Sequence, residues 1–315
     1  MIDFRYHLVS LIAVFLAVAL GIIIGTTALN EPILADIENQ VADLQEDKRS
    51  LEDQTQRLQA RLDTTEAFEQ AVGPALVNGT LTDQRVLLVS TNEDVDPETV
   101  EQVTALIGEA GGRVTGAVSV LPAYTDPSTA SSLQSYATGG GLPAGIELPT
   151  TDDAGQLVAS LLAQVLMVSE EGVVPEAAAV SSVLSGLTSL EVLSLDTDDV
   201  APADYAVVLT AGTFTGDGAA DRNETLVELV SALDRAGSGA VVAGDAESAG
   251  DDGLVGTIRA DPDLSAAVST VDNLSAAAGR ISTVLALTAE GEGTSGKYGT
   301  GQDTQPVPPV PAAVP

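Results

Sequence analysis

The chain has 315 residues, no cysteine or tryptophan, and a single histidine, His7. Lys and Arg total 12 against 46 Asp and Glu, a formal net charge of -34. That field repels phosphate backbones and excludes nucleic acid as a partner, while the missing thiols and imidazoles exclude disulfides, cysteine nucleophiles, His-based triads and two-His zinc sites.

Residues 1–7 form a short tail ahead of an apolar run, residues 8–24 (LVSLIAVFLAVALGIII), broken only by Ser10 and extended by Gly25, Thr26 and Thr27. A transmembrane helix takes roughly 20 such residues, so 8–27 reads as one span. A signal-peptide core is usually only about 7–15 residues long, which favours an uncleaved anchor over cleavage near Thr26-Thr27-Ala28. Arg5 precedes the span, and Glu31, Asp36 and Glu38 follow it. The positive-inside rule then places the N-terminus in the cytoplasm and everything beyond Asn30 outside.

The period changes after the span. Ile37, Leu44, Leu51, Leu58 and Thr65 fall seven apart, as do Leu34, Val41, Lys48, Thr55 and Leu62. The two sets interleave at offsets of three and four, which is a heptad with the first set at d and the second at a. Charged and amide residues fill the remaining positions, and residues 30–72 read as a coiled-coil stalk. At about 1.5 Å per residue the 34–65 stretch would be about 48 Å long. A lone helix of this kind leaves its leucine stripe uncovered, so Leu34, Ile37, Val41, Leu44, Leu51, Leu58 and Leu62 are the candidate oligomerisation residues. The expected partner is a second copy, as homodimer or homo-oligomer, or an envelope protein offering a similar helix. Gly73-Pro74 is expected to stop the helix.

Residues 76–290 alternate strand and helix. RVLLVS (85–90) is a short buried strand, and Asp96-Pro97 is an N-cap followed by a first helical residue. Gly111-Gly112 is a left-handed stop, and residues 113–120 form the next strand. After a helix-rich middle, with Asp152 or Asp153 capping a run to Met167 and a helix over 175–187, the alternation resumes. YAVVLT (205–210) and residues 239–243 and 268–271 are strands; 221–235 and 279–289 are helices. The expected fold class is α/β: a mainly parallel, doubly wound, Rossmann-like sheet behind one anchor and a stalk. Residues 291–315, Gly-rich and then Pro-rich (QPVPPVPAAVP), read as a disordered tail.

Such sheets bind ligands at the carboxyl ends of their strands, here the loops 91–95, 211–218 and 244–253. None reads G-x-G-x-x-G or G-x-x-x-x-G-K-[ST], so the phosphate cradles are missing. Glu93, Asp94 and Asp96, then Asp196, Asp198 and Asp199, then Asp217 and Asp221, then Asp245, Glu247, Asp251 and Asp252 form acidic runs without EF-hand spacing and read as solvated surface. The soft and imidazole inventory for copper is Met1, Met167 and His7, too little for a dedicated cage. No catalytic residue, cofactor site or metal ligand set stands out, and the chain reads as a non-enzyme.

Four stretches carry a resemblance: MIDFRYHLVSLIAVFLAVALGIIIGT, EAGGRVTGAVSV, VSTVDNLSAAAGRISTVLAL and GKYGTGQ. Together they resemble the mycobacterial copper transport protein B family of actinobacteria, from Met1 to about Gly301. The resemblance implies an envelope protein of copper homeostasis or efflux. It implies, alternatively, a cell-separation factor acting with a membrane partner on peptidoglycan hydrolases. It brings no metal ligand that maps onto a residue of this chain. The lone helix offers only Ser10, Thr26 and Thr27 to line a pore, which favours an oligomeric scaffold over a channel.

Overall fold

The computed structural model describes residues 4–169, 171–216 and 218–310, with the backbone alone at 26–35 and 38. Met1, the side chain of Leu34, the Asp217 of one acidic run and the last five residues of the tail lie outside the described residues. Contacts divide the chain into two units, residues 1–65 and 66–315.

The first unit is helical. It belongs to α1 (Phe4–Val77), an uninterrupted helix in which Phe4–Gly25 is long and apolar enough to cross a membrane. Leu, Ala, Glu, Gln and Arg, all good helix formers, dominate the stretch after the span, and the helix continues through Pro32, whose missing N–H removes one intrahelical hydrogen bond.

In the second unit α1 continues through Gly73-Pro74 to Val77, three residues past the expected stop. Proline removes one intrahelical hydrogen bond and crowds the preceding turn; here packing outweighs that cost. Val77 is fully buried, and Gly73 lies so close to α9 (Ala277–Gly291) that a Cβ on it would sit 2.9 Å from Ile281 Cδ1.

The remaining elements are β1 (Arg85–Ser90), α2 (Pro97–Glu109), β2 (Arg113–Val120), α3 (Ala130–Thr138), α4 (Ala154–Leu166), α5 (Ala177–Ser189), β3 (Leu193–Leu195), β4 (Tyr205–Thr210), α6 (Ala219–Ala236), β5 (Ala240–Gly244), α7 (Leu254–Ala260), α8 (Pro262–Ala267), β6 (Ser269–Val271) and β7 (Lys297–Tyr298). The sheet runs β3-β2-β1-β4-β5-β6-β7, parallel throughout except for β3 against β2. The expected α/β class and parallel sheet are present, with caps where the sequence placed them. The Asp96 carboxylate accepts from the Glu98 N–H and the Asp153 carboxylate from that of Gln156, and Gly111 is left-handed at φ 85°. One face of the sheet packs on α3, α4, α5, α6 and α7; the other packs on α2, α9 and the end of α1.

Three elements depart from expectation. β3 is antiparallel, and α3 is a helix of the helix-rich middle that had no placed position in the sequence. The tail is ordered well past residue 291: β7 pairs with β6, and Tyr298 is 1% exposed. The cause is ionic. Arg259 donates to Thr270 Oγ1 (2.8 Å), Asp272 Oδ2 (2.7 Å) and the Tyr298 carbonyl (2.9 Å). Asp272 in turn accepts from the Thr300 and Gly301 N–H groups at 2.7 and 3.0 Å. Gly299 takes φ 128°, and its bare Cα abuts the Asp272 carboxylate.

Candidate functional site

An α/β sheet ordinarily binds ligands at the carboxyl ends of its strands, where the strand order switches sides, here between the parallel neighbours β1 and β4. That crevice is stitched shut. The Thr91 N–H donates to the Leu209 carbonyl at 2.9 Å, and Asn92 Nδ2 to the Ala211 carbonyl at 2.7 Å. Asp245 accepts from the Gly212 and Ser248 N–H groups, so this carboxylate caps loop backbone. Asp196 likewise accepts from Ser119 Oγ at 2.7 Å. Among the described residues no group of three or more His, Asp or Glu side chains is arranged to hold a metal ion. Met167 is 2% exposed in the core against Gly237, and His7 sits near the start of α1. The donor set therefore does not fit copper, which favours thiolate, thioether or several imidazoles.

The heptad residues behave differently. Ile37, Val41, Leu44, Leu51, Leu58 and Leu62 lie between 48% and 69% exposed, a row of aliphatic side chains with no cover within their own unit. Lys48 interrupts the row and pairs with Glu52 at 3.4 Å; Thr55 returns its hydroxyl to the Leu51 carbonyl at 2.9 Å, which leaves its methyl for packing. Burying a Leu, Ile or Val side chain is worth about 1.5–3 kcal/mol. Among the described residues this stripe is the largest concentration of uncovered apolar side chains outside the span.

Within the second unit, the end of α1 is fixed by charge. Glu66 pairs with Arg280 at 3.3 Å, and Glu69 Oε2 accepts from the Ala278 N–H at 3.1 Å. That helix start has no side-chain cap of its own, and a carboxylate there satisfies orphan donors and the helix dipole. The Arg280 side chain is 5% exposed and also donates to the Leu274 and Ser275 carbonyls. Sequence reasoning singled out none of Glu69, Arg259, Asp272 or Arg280. The signal lay in VSTVDNLSAAAGRISTVLAL and GKYGTGQ, which carry Asp272, Arg280, Gly299 and Gly301.

Two glutamates are raised far above the ordinary carboxyl range. Burial, aided by the charges of Asp153 and Glu224, pushes Glu228 up to about 7. Burial also pushes Glu290 up to about 7, against hydrogen bonds from Ser269 and Ser295 and with the Asp234 charge.

Comparison with known proteins follows the same contour. A family model described as "Copper transport outer membrane protein, MctB" matches residues 1–309. "Copper transporter MctB" of Mycobacterium tuberculosis is 32% identical over 312 residues, covering 98% of this chain and 99% of the relative. The protein of the same name from Mycobacterium leprae is 32% identical over 309 residues, covering 96% and 97%.

Proposed function

Because the chain belongs to the MctB copper transport family, we propose that it serves copper homeostasis as a membrane-anchored envelope scaffold, with the α1 stripe pairing to a second copy. The observation that carries this reading is the uncovered row from Ile37 to Leu62. Its spacing of three and four is that of a two-stranded seam, with leucine at most d positions. Lys48 and Thr55 at a positions cost stability while favouring one register. Arg5 before the span and the acidic residues after it favour a cytoplasmic N-terminus and an exported second unit.

Copper enters as cargo of the system this scaffold serves. One apolar helix per chain, with Ser10, Thr26 and Thr27 as its polar groups, argues against conduction by the protomer alone. A mainly parallel sheet flanked by helices is not the alternating antiparallel pattern of an outer-membrane barrel. The poverty of soft donors favours action through a ligand-bearing partner. The same uncovered stripe also suits the second reading, a cell-separation factor that docks a helical segment of an envelope partner.

The chain's lack of cysteine makes the test clean. Single cysteines replacing Leu44 or Leu51 should crosslink to dimers in native membranes, while Glu46→Cys, on the opposite face of the heptad, should not. Equal crosslinking at all three positions would overturn the seam.

A further inference from the structure

Beneath the amino ends of β5 and β6 sits one carboxyl that the proposed function does not use. Glu290 is 8% exposed, and no Lys or Arg pairs with it among the described residues. Its Oε1 accepts from the Ser269 N–H at 2.6 Å, and its Oε2 from Ser295 Oγ at 3.1 Å. Ser295 Oγ lies equally near the Ala267 carbonyl at 3.1 Å, so its single proton is shared between the two acceptors, and Ser269 Oγ accepts from the Gly296 N–H at 3.0 Å. The carboxyl thus joins the start of β6 to the segment that becomes β7. The titratable groups facing it are Asp234 of α6, Tyr205 of β4 and Tyr298 of β7. Arg235 lies beside Asp234, and the Lys297 ammonium turns away to the Arg259 carbonyl.

We propose that Glu290 is a pH-operated latch for the C-terminal segment, holding residues 291–305 on the sheet when protonated and loosening them when ionised. A neutral carboxyl tolerates burial among two tyrosines and a second carboxylate; an ionised one gains by reaching water. Opening the segment provides that route. Since Glu290 titrates near 7 when closed and near the ordinary 4.5 once solvated, the opening equilibrium should rise on the order of 70-fold between about pH 5 and pH 8.

The test is amide hydrogen exchange on the full chain in detergent, with each rate divided by its intrinsic value at that pH. Protection of the Gly296, Gly299, Thr300 and Gly301 amides should fall tens-fold across this range. Glu290→Gln should flatten the profile, while Glu228→Gln should preserve it. Should Glu290→Gln fail to fold, Asp234→Asn keeps the test alive: removing the neighbouring charge should move the midpoint to lower pH. A flat wild-type profile, an unchanged slope in Glu290→Gln, or an unmoved midpoint in Asp234→Asn would overturn the latch.

Discussion

Asp272→Ala gives the sharpest energetic test of the second unit. The Asp272 and Arg259 side chains are 2% and 11% exposed and meet at 2.7 Å. Removing one member of a buried pair leaves an uncompensated charge and costs about 3–5 kcal/mol. The Thr300 and Gly301 amides lose their acceptor too, but they lie in exposed turns where water replaces it. Arg259 keeps Thr270 Oγ1 and the Tyr298 carbonyl, which places the expected loss near the lower end, about 3 kcal/mol. Urea unfolding followed by tyrosine fluorescence is suitable, because the chain has five tyrosines and no tryptophan. The midpoint should fall without a change in slope. The double variant Arg259→Met/Asp272→Ala should lose less than the sum of its single changes, since no stranded charge remains. Burial alone would raise the Asp272 carboxyl, but the Arg259 hydrogen bond and charge and the two amides hold it below its ordinary 3.8. Its contribution is therefore present above 3.8 and lost only in acid, so the wild-type-to-variant gap should stay constant across neutral pH. A loss under about 1 kcal/mol, within the range of an exposed pair, or strict additivity, would refute the reasoning.

Glu228 and Glu290 act in the opposite sense. Both are raised from 4.5 to about 7, so their stabilisation is complete below 4.5 and is lost as pH rises through 7. The stability of the second unit should decline over that window, by on the order of 2 kcal/mol for Glu290 and less for half-buried Glu228, and its melting temperature should fall with it. Glu228→Gln/Glu290→Gln should level the curve; a wild-type melting temperature that rises over the window contradicts the assignment. Copper gives a further check: equilibrium dialysis of the full chain with Cu(I) or Cu(II) should show no stoichiometric binding at or below micromolar concentration, and tight binding would restore direct copper handling.

The elements legible in the sequence were those with local signals. An apolar run of membrane length, a heptad and strands such as YAVVLT followed by glycine stops need no distant partner to be recognised. β3 and β7, at three and two residues, are too short to show a period. They exist because residues remote in sequence hold them, Val120 opposite Leu193 and Tyr298 through Arg259. Asp272 and Glu290 look like their neighbours in a chain where acidic residues are everywhere; only burial separates them. Gly73-Pro74 reads as a stop because local rules contain no information about Ile281 on α9. For the candidate interface, periodicity identifies the face of the helix, and the partner lies outside the reach of any single chain.

The central claim rests on the stripe from Ile37 to Leu62 being covered by a second copy. Mass measurement by light scattering on the detergent-solubilised full chain, with and without Leu44→Asp/Leu51→Asp, tests it most directly. Wild type should have the mass of an oligomer and the variant that of one chain, with the second unit still folded. Equal masses for the two proteins would contradict it.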